Sequence, residues 1–107
     1  MKIRTRQGHV VDIFAIYWWG NGETYFYGLP RGNGGLSAYK LDRNELEVID
    51  PNLESNFVYF HNNAHGIYHE SLIKEKLLDD LLEFDETAYH RFLKILKAEG
   101  RIDPDFY

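Results

Sequence analysis

The sequence predicts an α+β fold, in which an N-terminal antiparallel β-meander of five or six strands packs against a C-terminal two-helix hairpin. Three observations predict it. Residues 1–61 hold short runs of β-branched and aromatic residues separated by Gly, Asn, Asp and Pro turn signals. Residues 70–100 switch to a helical spacing of apolar positions. The chain has 107 residues, enough for one core and too few for two. The sheet (1–61), the helical hairpin (70–100) and a short tail (101–107) therefore read as a single domain, strands first and helices after.

Each element has its own justification. Residues 2–6 alternate, and Gln7-Gly8 turns the chain. Val10 to Trp19, VVDIFAIYWW, is apolar on both faces and reads as a central strand covered on both sides. Gly20-Asn21-Gly22 tolerates positive φ and joins it to the strand 23–29 as a hairpin. Pro30 to Gly35 is a loop, followed by strands over 36–41 and 46–49 with a turn at Asp42-Arg43-Asn44. A loop over 51–56 leads to FVYFH at 57–61. Residues 61–69 contain Asn62, Asn63 and Gly66 and read as a polar strand-to-helix loop. Between 70 and 84, Ile73, Leu77, Leu78, Leu81 and Phe84 share one helical stripe, with Glu75, Asp79, Asp80 and Glu83 opposite. Asp85 is placed to N-cap a second helix and Gly100 to end it at C′. In that helix Ala88, Tyr89, Phe92, Leu93, Ile95 and Leu96 form the apolar face, and His90, Arg91, Lys94 and Lys97 the polar one.

Composition excludes several function classes. The chain has no cysteine, which removes disulfides, a thiol nucleophile and a Cys-ligated zinc site. No N-terminal apolar run resembles a signal peptide and no stretch is long enough for a membrane span, so a cytoplasmic protein with no membrane partner is expected. The net charge of −5 argues against a general nucleic-acid-binding domain, whose affinity rests on phosphate neutralisation. It admits a basic partner.

Four features have residue types suited to chemistry or binding. His61, His65 and His69 recur every fourth residue with Glu70 beside them, a spacing that suits metal binding on a helix or, with Tyr68, acid/base chemistry. The turn residues between them oppose a helix, H-E-x-x-H is absent, and no Arg or Lys lies in residues 54–73 to hold a phosphate. The expectation is accordingly no catalytic residue, no metal and no cofactor. PRGNGGLS at 30–37 has neither the Walker A lysine nor the G-x-G-x-x-G spacing, and precedes a strand rather than a helix. Trp18, Trp19, Tyr25 and Tyr27 meet across the predicted hairpin, and adjacent residues point to opposite faces, so one set faces away from the helices. Exposed Trp and Tyr with a polar rim suit a protein interface. Asp42, Glu45, Glu47, Asp50 and Glu54 lie in one segment opposed locally by Arg43 alone.

The stretch AIYWWGNGETYFYGLPRGNGG at 15–35 and YKLDRNELEVIDP at 39–51 are similar in style to small bacterial immunity proteins of contact-dependent growth inhibition and related polymorphic toxin systems. The resemblance implies high-affinity binding to one cognate toxin domain, often a basic tRNase or DNase, and blockage of its active site. On that reading the charge partners are Asp42, Glu45, Glu47, Asp50 and Glu54, and the desolvated anchors are Tyr25, Tyr27 and Trp18 or Trp19. The alternatives are a small hydrolase or metal-dependent enzyme using His61, His65, His69 and Glu70, and a protein-binding adaptor unrelated to toxins.

Overall fold

In the computed structural model, which describes residues 1–54 and 56–107, the architecture is organised around one strand. Strand β2 (Val10–Trp18) follows β1 (Lys2–Thr5) and precedes β3 (Thr24–Leu29). Next come β4 (Ser37–Lys40), β5 (Leu46–Asp50), β6 (Phe57–His61) and β7 (His65–His69). Helices α1 (Glu70–Lys74), α2 (Leu78–Leu82) and α3 (Glu86–Ala98) close the chain. This is an α+β fold, with seven antiparallel strands in one sheet and the helices C-terminal to it. No helix is long and apolar enough to cross a membrane among the described residues.

Strand β2 is central because its VVDIFAIYW run is apolar on both faces, and its pairings divide it in two. β3 lines one edge from Asp12 to Trp18. The other edge is shared, with β1 on residues 10–12 and β7 on residues 15–18. The sheet therefore forks: β5 lies outside β1, and β6 lies outside β7. A plain meander holds only for β1 to β4. At the fork β2 carries a bulge, with Ile13 opposite Gly28 and Ala15 opposite Tyr27, so Phe14 is the extra residue. The bulge turns both Phe14 and Ala15 towards the helices, whereas Ile13 and Val11 join the core on the other face.

The two faces bury unequal cores. On the helix side Phe14, Leu29, Leu36, Leu72, Leu81, Phe92 and Leu96 are packed with little or no exposure. On the outer side Ile3, Val11, Ile13 and Phe26 are buried beneath Met1, Tyr39, Leu46 and Val48. Gly28 lies in that smaller core, where a Cβ would stand 2.7 Å from Val11 Cγ1 and 2.9 Å from Tyr39.

The structure departs from the sequence-based expectation at three places. Residues 65–69 are a strand rather than a loop. Asn62 to Ala64 make the hairpin turn, and the glycine that reads as a turn residue, Gly66, is needed because the Tyr68 ring lies over it; a Cβ there would be 2.4 Å from Tyr68 Cε1. The helix expected over 70–84 is two short helices. The chain breaks after Glu75, where Lys76 takes φ 56°, and Leu77 still reaches the core. Phe84, expected in the buried stripe, is 52 % exposed. It lies one residue beyond the α2 C-cap, where the helical direction no longer holds. The second helix follows its sequence signals, with Asp85 Oδ1 accepting from Ala88 N–H at 2.8 Å and Gly100 at φ 72°. The tail docks: Gly32 N–H donates to Tyr107 O at 2.7 Å, and the Arg31 guanidinium lies 4.8 Å over the Tyr107 ring.

Candidate functional site

Residues at the Trp18 end of β2 separate onto two faces, as alternation requires. Tyr17, Tyr25 and Tyr27 lie on the helix side. Tyr17 stacks on Tyr25 at 5.3 Å and meets Tyr27 at 4.7 Å, and Trp19, 39 % exposed, meets Tyr17 edge-on. Burial pushes the Tyr17 phenol well above its ordinary pKa, with the hydrogen bond to Tyr27 adding to it. Tyr68 is pushed up to about 12, also chiefly by burial. These aromatics extend the helix-side core towards solvent. Trp18 faces the other way. It is opposite His65, which is opposite His61, and the three rings form a row across β2, β7 and β6. Tyr59 borders the row and is 61 % exposed.

The carboxylates singled out in residues 42–54 do not form a patch of one sign. Antiparallel pairing of β5 with β1 brings Arg4 opposite Glu47, and the chain running on from β1 brings Arg6 beside Glu45. Glu54 pairs with Arg101 at 3.3 Å. Asp42 accepts from Asn44 N–H and Asp50 from Asn52 N–H, and that backbone bond holds the Asp50 carboxyl below the usual carboxylate range. The cations are distant in sequence, so the segment 42–54 looks more negative in sequence than it is in the fold.

His69 is separate from His61 and His65. It is fully buried at the start of α1, where Nδ1 accepts from Ser71 N–H at 3.2 Å and lies 2.8 Å from Ser71 Oγ. Its Nε2 is 2.7 Å from Glu99 Oε1. Because Nδ1 accepts the capping bond, Nε2 carries the proton and donates to Glu99. Asn56 donates to the same Glu99 oxygen at 2.9 Å, and Arg101 donates to Asn56 Oδ1. Phe14, Phe57 and Phe92 enclose the imidazole edge-on. With Ser71 itself buried, this Ser-His-Glu arrangement is a knot tying the start of α1 to the end of α3.

At the α2–α3 elbow the acidic face read from the sequence is present, but Phe84, expected in the buried stripe, stands exposed within it. Phe84 has φ 59°, the left-handed region that a bulky side chain rarely adopts. Around it in sequence stand Asp79, Asp80, Glu83, Asp85 and Glu86, all exposed. Among the described residues none of the five has a basic partner within 4.0 Å. One side of the Phe84 ring covers the 34–35 backbone: a Cβ on Gly35 would be 2.6 Å from Phe84 Cδ1 and 2.4 Å from Leu81 O. The other side is open. Beneath the ring, Leu36 N–H donates to Leu81 O at 3.2 Å and fixes the loop to the elbow. The signal in the sequence was the charge run DDLLEFDE, with a single aromatic inside it.

No family model, curated protein or solved structure matches the chain.

Proposed function

We propose that the chain is an immunity protein that binds a cognate nuclease toxin domain, a tRNase or DNase, and occludes its active site. The observation that supports this reading is the elbow, a half-exposed phenylalanine among carboxylates that have no basic partner among the described residues. A nuclease active site must hold phosphate and is therefore basic. Phe84 supplies a desolvated anchor of the kind that dominates interface energetics. Asp79, Asp80, Glu83 and Glu86 supply the complementary field that speeds encounter and sets orientation. Trp19 and Tyr25 offer a second aromatic contact. Glu45, Glu47 and Glu54 contribute less to steering, because Arg4, Arg6 and Arg101 already neutralise them in part.

The test is capture followed by co-expression. Domains retained by the tagged chain at moderate salt are expressed alone and together with it, and growth is scored. The expected result is one basic nuclease domain, toxic alone and harmless beside this chain, with protection lost for the double variant Asp80→Lys, Glu83→Lys. Recovery of no such domain overturns the immunity reading. Full protection by the double variant overturns the elbow as the contact surface.

A further inference from the structure

We infer that His61 and His65 form a two-histidine site for a borderline divalent transition ion of the zinc and nickel class. The hairpin places them directly opposite each other, as the last residue of β6 and the first of β7. Their rings are parallel within 5° and 4.2 Å apart. Equivalent nitrogens in such a stack are separated by about 4 Å. Two imidazoles bound to one tetrahedral ion at about 2.0 Å each bring their nitrogens to about 3.3 Å. Because an ion must lie in the plane of each ring that binds it, the parallel stack opens on binding: one ring tilts out of the stack until both lone pairs converge. His61 is the ring free to swing, since it is exposed and its nitrogens have no hydrogen-bond partner among the described residues.

His65 is held in the orientation that a ligand needs. Trp18 stacks on it at 6.1 Å with the planes 17° apart, on the side away from His61. Tyr59 Oη lies 2.5 Å from His65 Nδ1. With Nδ1–H donating to that oxygen, the Nε2 lone pair is free for a metal, which is the usual arrangement behind a ligating histidine. His69, the third member of the four-residue spacing, is committed to Glu99 and Ser71 and takes no part. No three His, Cys, Asp or Glu side chains converge on one point among the described residues. The remaining coordination positions therefore go to water, and the ion exchanges readily.

The untagged full chain is titrated with Ni²⁺ at neutral pH, and binding is followed by calorimetry and by tryptophan fluorescence. The expected result is one saturable ion per chain with quenching, since Trp18 stacks on a ligand. His61→Ala, at an exposed position, weakens binding at least tenfold. Tyr59→Phe weakens it several-fold, because Nδ1–H loses its acceptor. His90→Ala, on the exposed face of α3, leaves it unchanged. Absence of saturable binding, or an affinity that His61→Ala does not alter, overturns the inference. Either result leaves the proposal for the elbow untouched.

Discussion

Helices α2 and α3 end in the same hydrogen-bonded motif, built on opposite residues. At the end of α2, Asp85 N–H donates to Asp80 O and Phe84 N–H to Leu81 O. At the end of α3, Arg101 N–H donates to Leu96 O and Gly100 N–H to Lys97 O. Both put a left-handed residue at C′. At α3 that residue is glycine, and the neighbours do the anchoring: Glu99 meets His69, and Arg101 meets Asn56 and Glu54. At α2 the residue is phenylalanine, for which the same backbone costs about 1–2 kcal/mol, and its neighbours Glu83 and Asp85 have no basic partner among the described residues. One end is tied into the fold by its flanks, with a glycine serving only as the hinge. The other holds a large side chain in an unfavourable conformation and leaves half of it in water. A strained residue left half in water is the observation on which the proposal for the elbow rests.

The largest test of this contrast is at the tied end. His69→Ala removes an N-cap, leaves Glu99 and Ser71 without their buried partner and opens a cavity among three phenylalanines. It should cost about 3 kcal/mol in urea unfolding. In native-state hydrogen exchange the loss should appear at the amides of Arg101 and Ile102 before those of Phe84 and Asp85. Equal loss at both ends would show that the two elbows are not independent.

A pH effect involves three phenols of the sheet and one on α3. Burial raises the phenols of Tyr17, Tyr39, Tyr68 and Tyr89 above their ordinary pKa of 10. The native state thus binds more protons than the unfolded state above pH 10, and stability falls as pH rises. The contribution is complete below pH 10 and, for Tyr68, lost through about pH 12. Absorbance titration should show these four ionising later in the native protein than after unfolding. Coincident curves would contradict the packing described.

A smaller effect belongs to the hinge itself. A Cβ at Gly100 would meet nothing within 4 Å, so Gly100→Ala isolates the backbone cost. About 1 kcal/mol should be lost. No loss would mean that the left-handed end of α3 carries no strain for other residues.

Much of this was legible in the sequence, and the failures share a cause. Alternation and turn residues mark β1 to β6, and Asp85 with Gly100 marks α3, because those signals are local. Strand β7 was missed because Gly66 reads as a turn, whereas its role is to lie beneath the Tyr68 ring. The break at Lys76 has no local signature, since lysine does not favour positive φ. The neutralised carboxylates depend on β5 returning to β1, a pairing across some forty residues. Phe84 keeps the spacing of a core residue, three beyond Leu81, yet the helix has already ended. The four-residue histidine spacing brings two of its three members together, on a hairpin rather than a helix.

If Phe84 is displayed by the fold rather than required by it, its removal leaves stability nearly unchanged. The most direct measurement is the urea unfolding free energy of Phe84→Gly. Relief of the left-handed backbone and loss of a half-buried ring oppose each other at about 1–2 kcal/mol each. The expected stability is therefore within about 1 kcal/mol of the parent chain, with an unchanged m-value. A loss well beyond that, about 3 kcal/mol, would make Phe84 a structural plug over Gly35 and contradict its assignment as a binding residue.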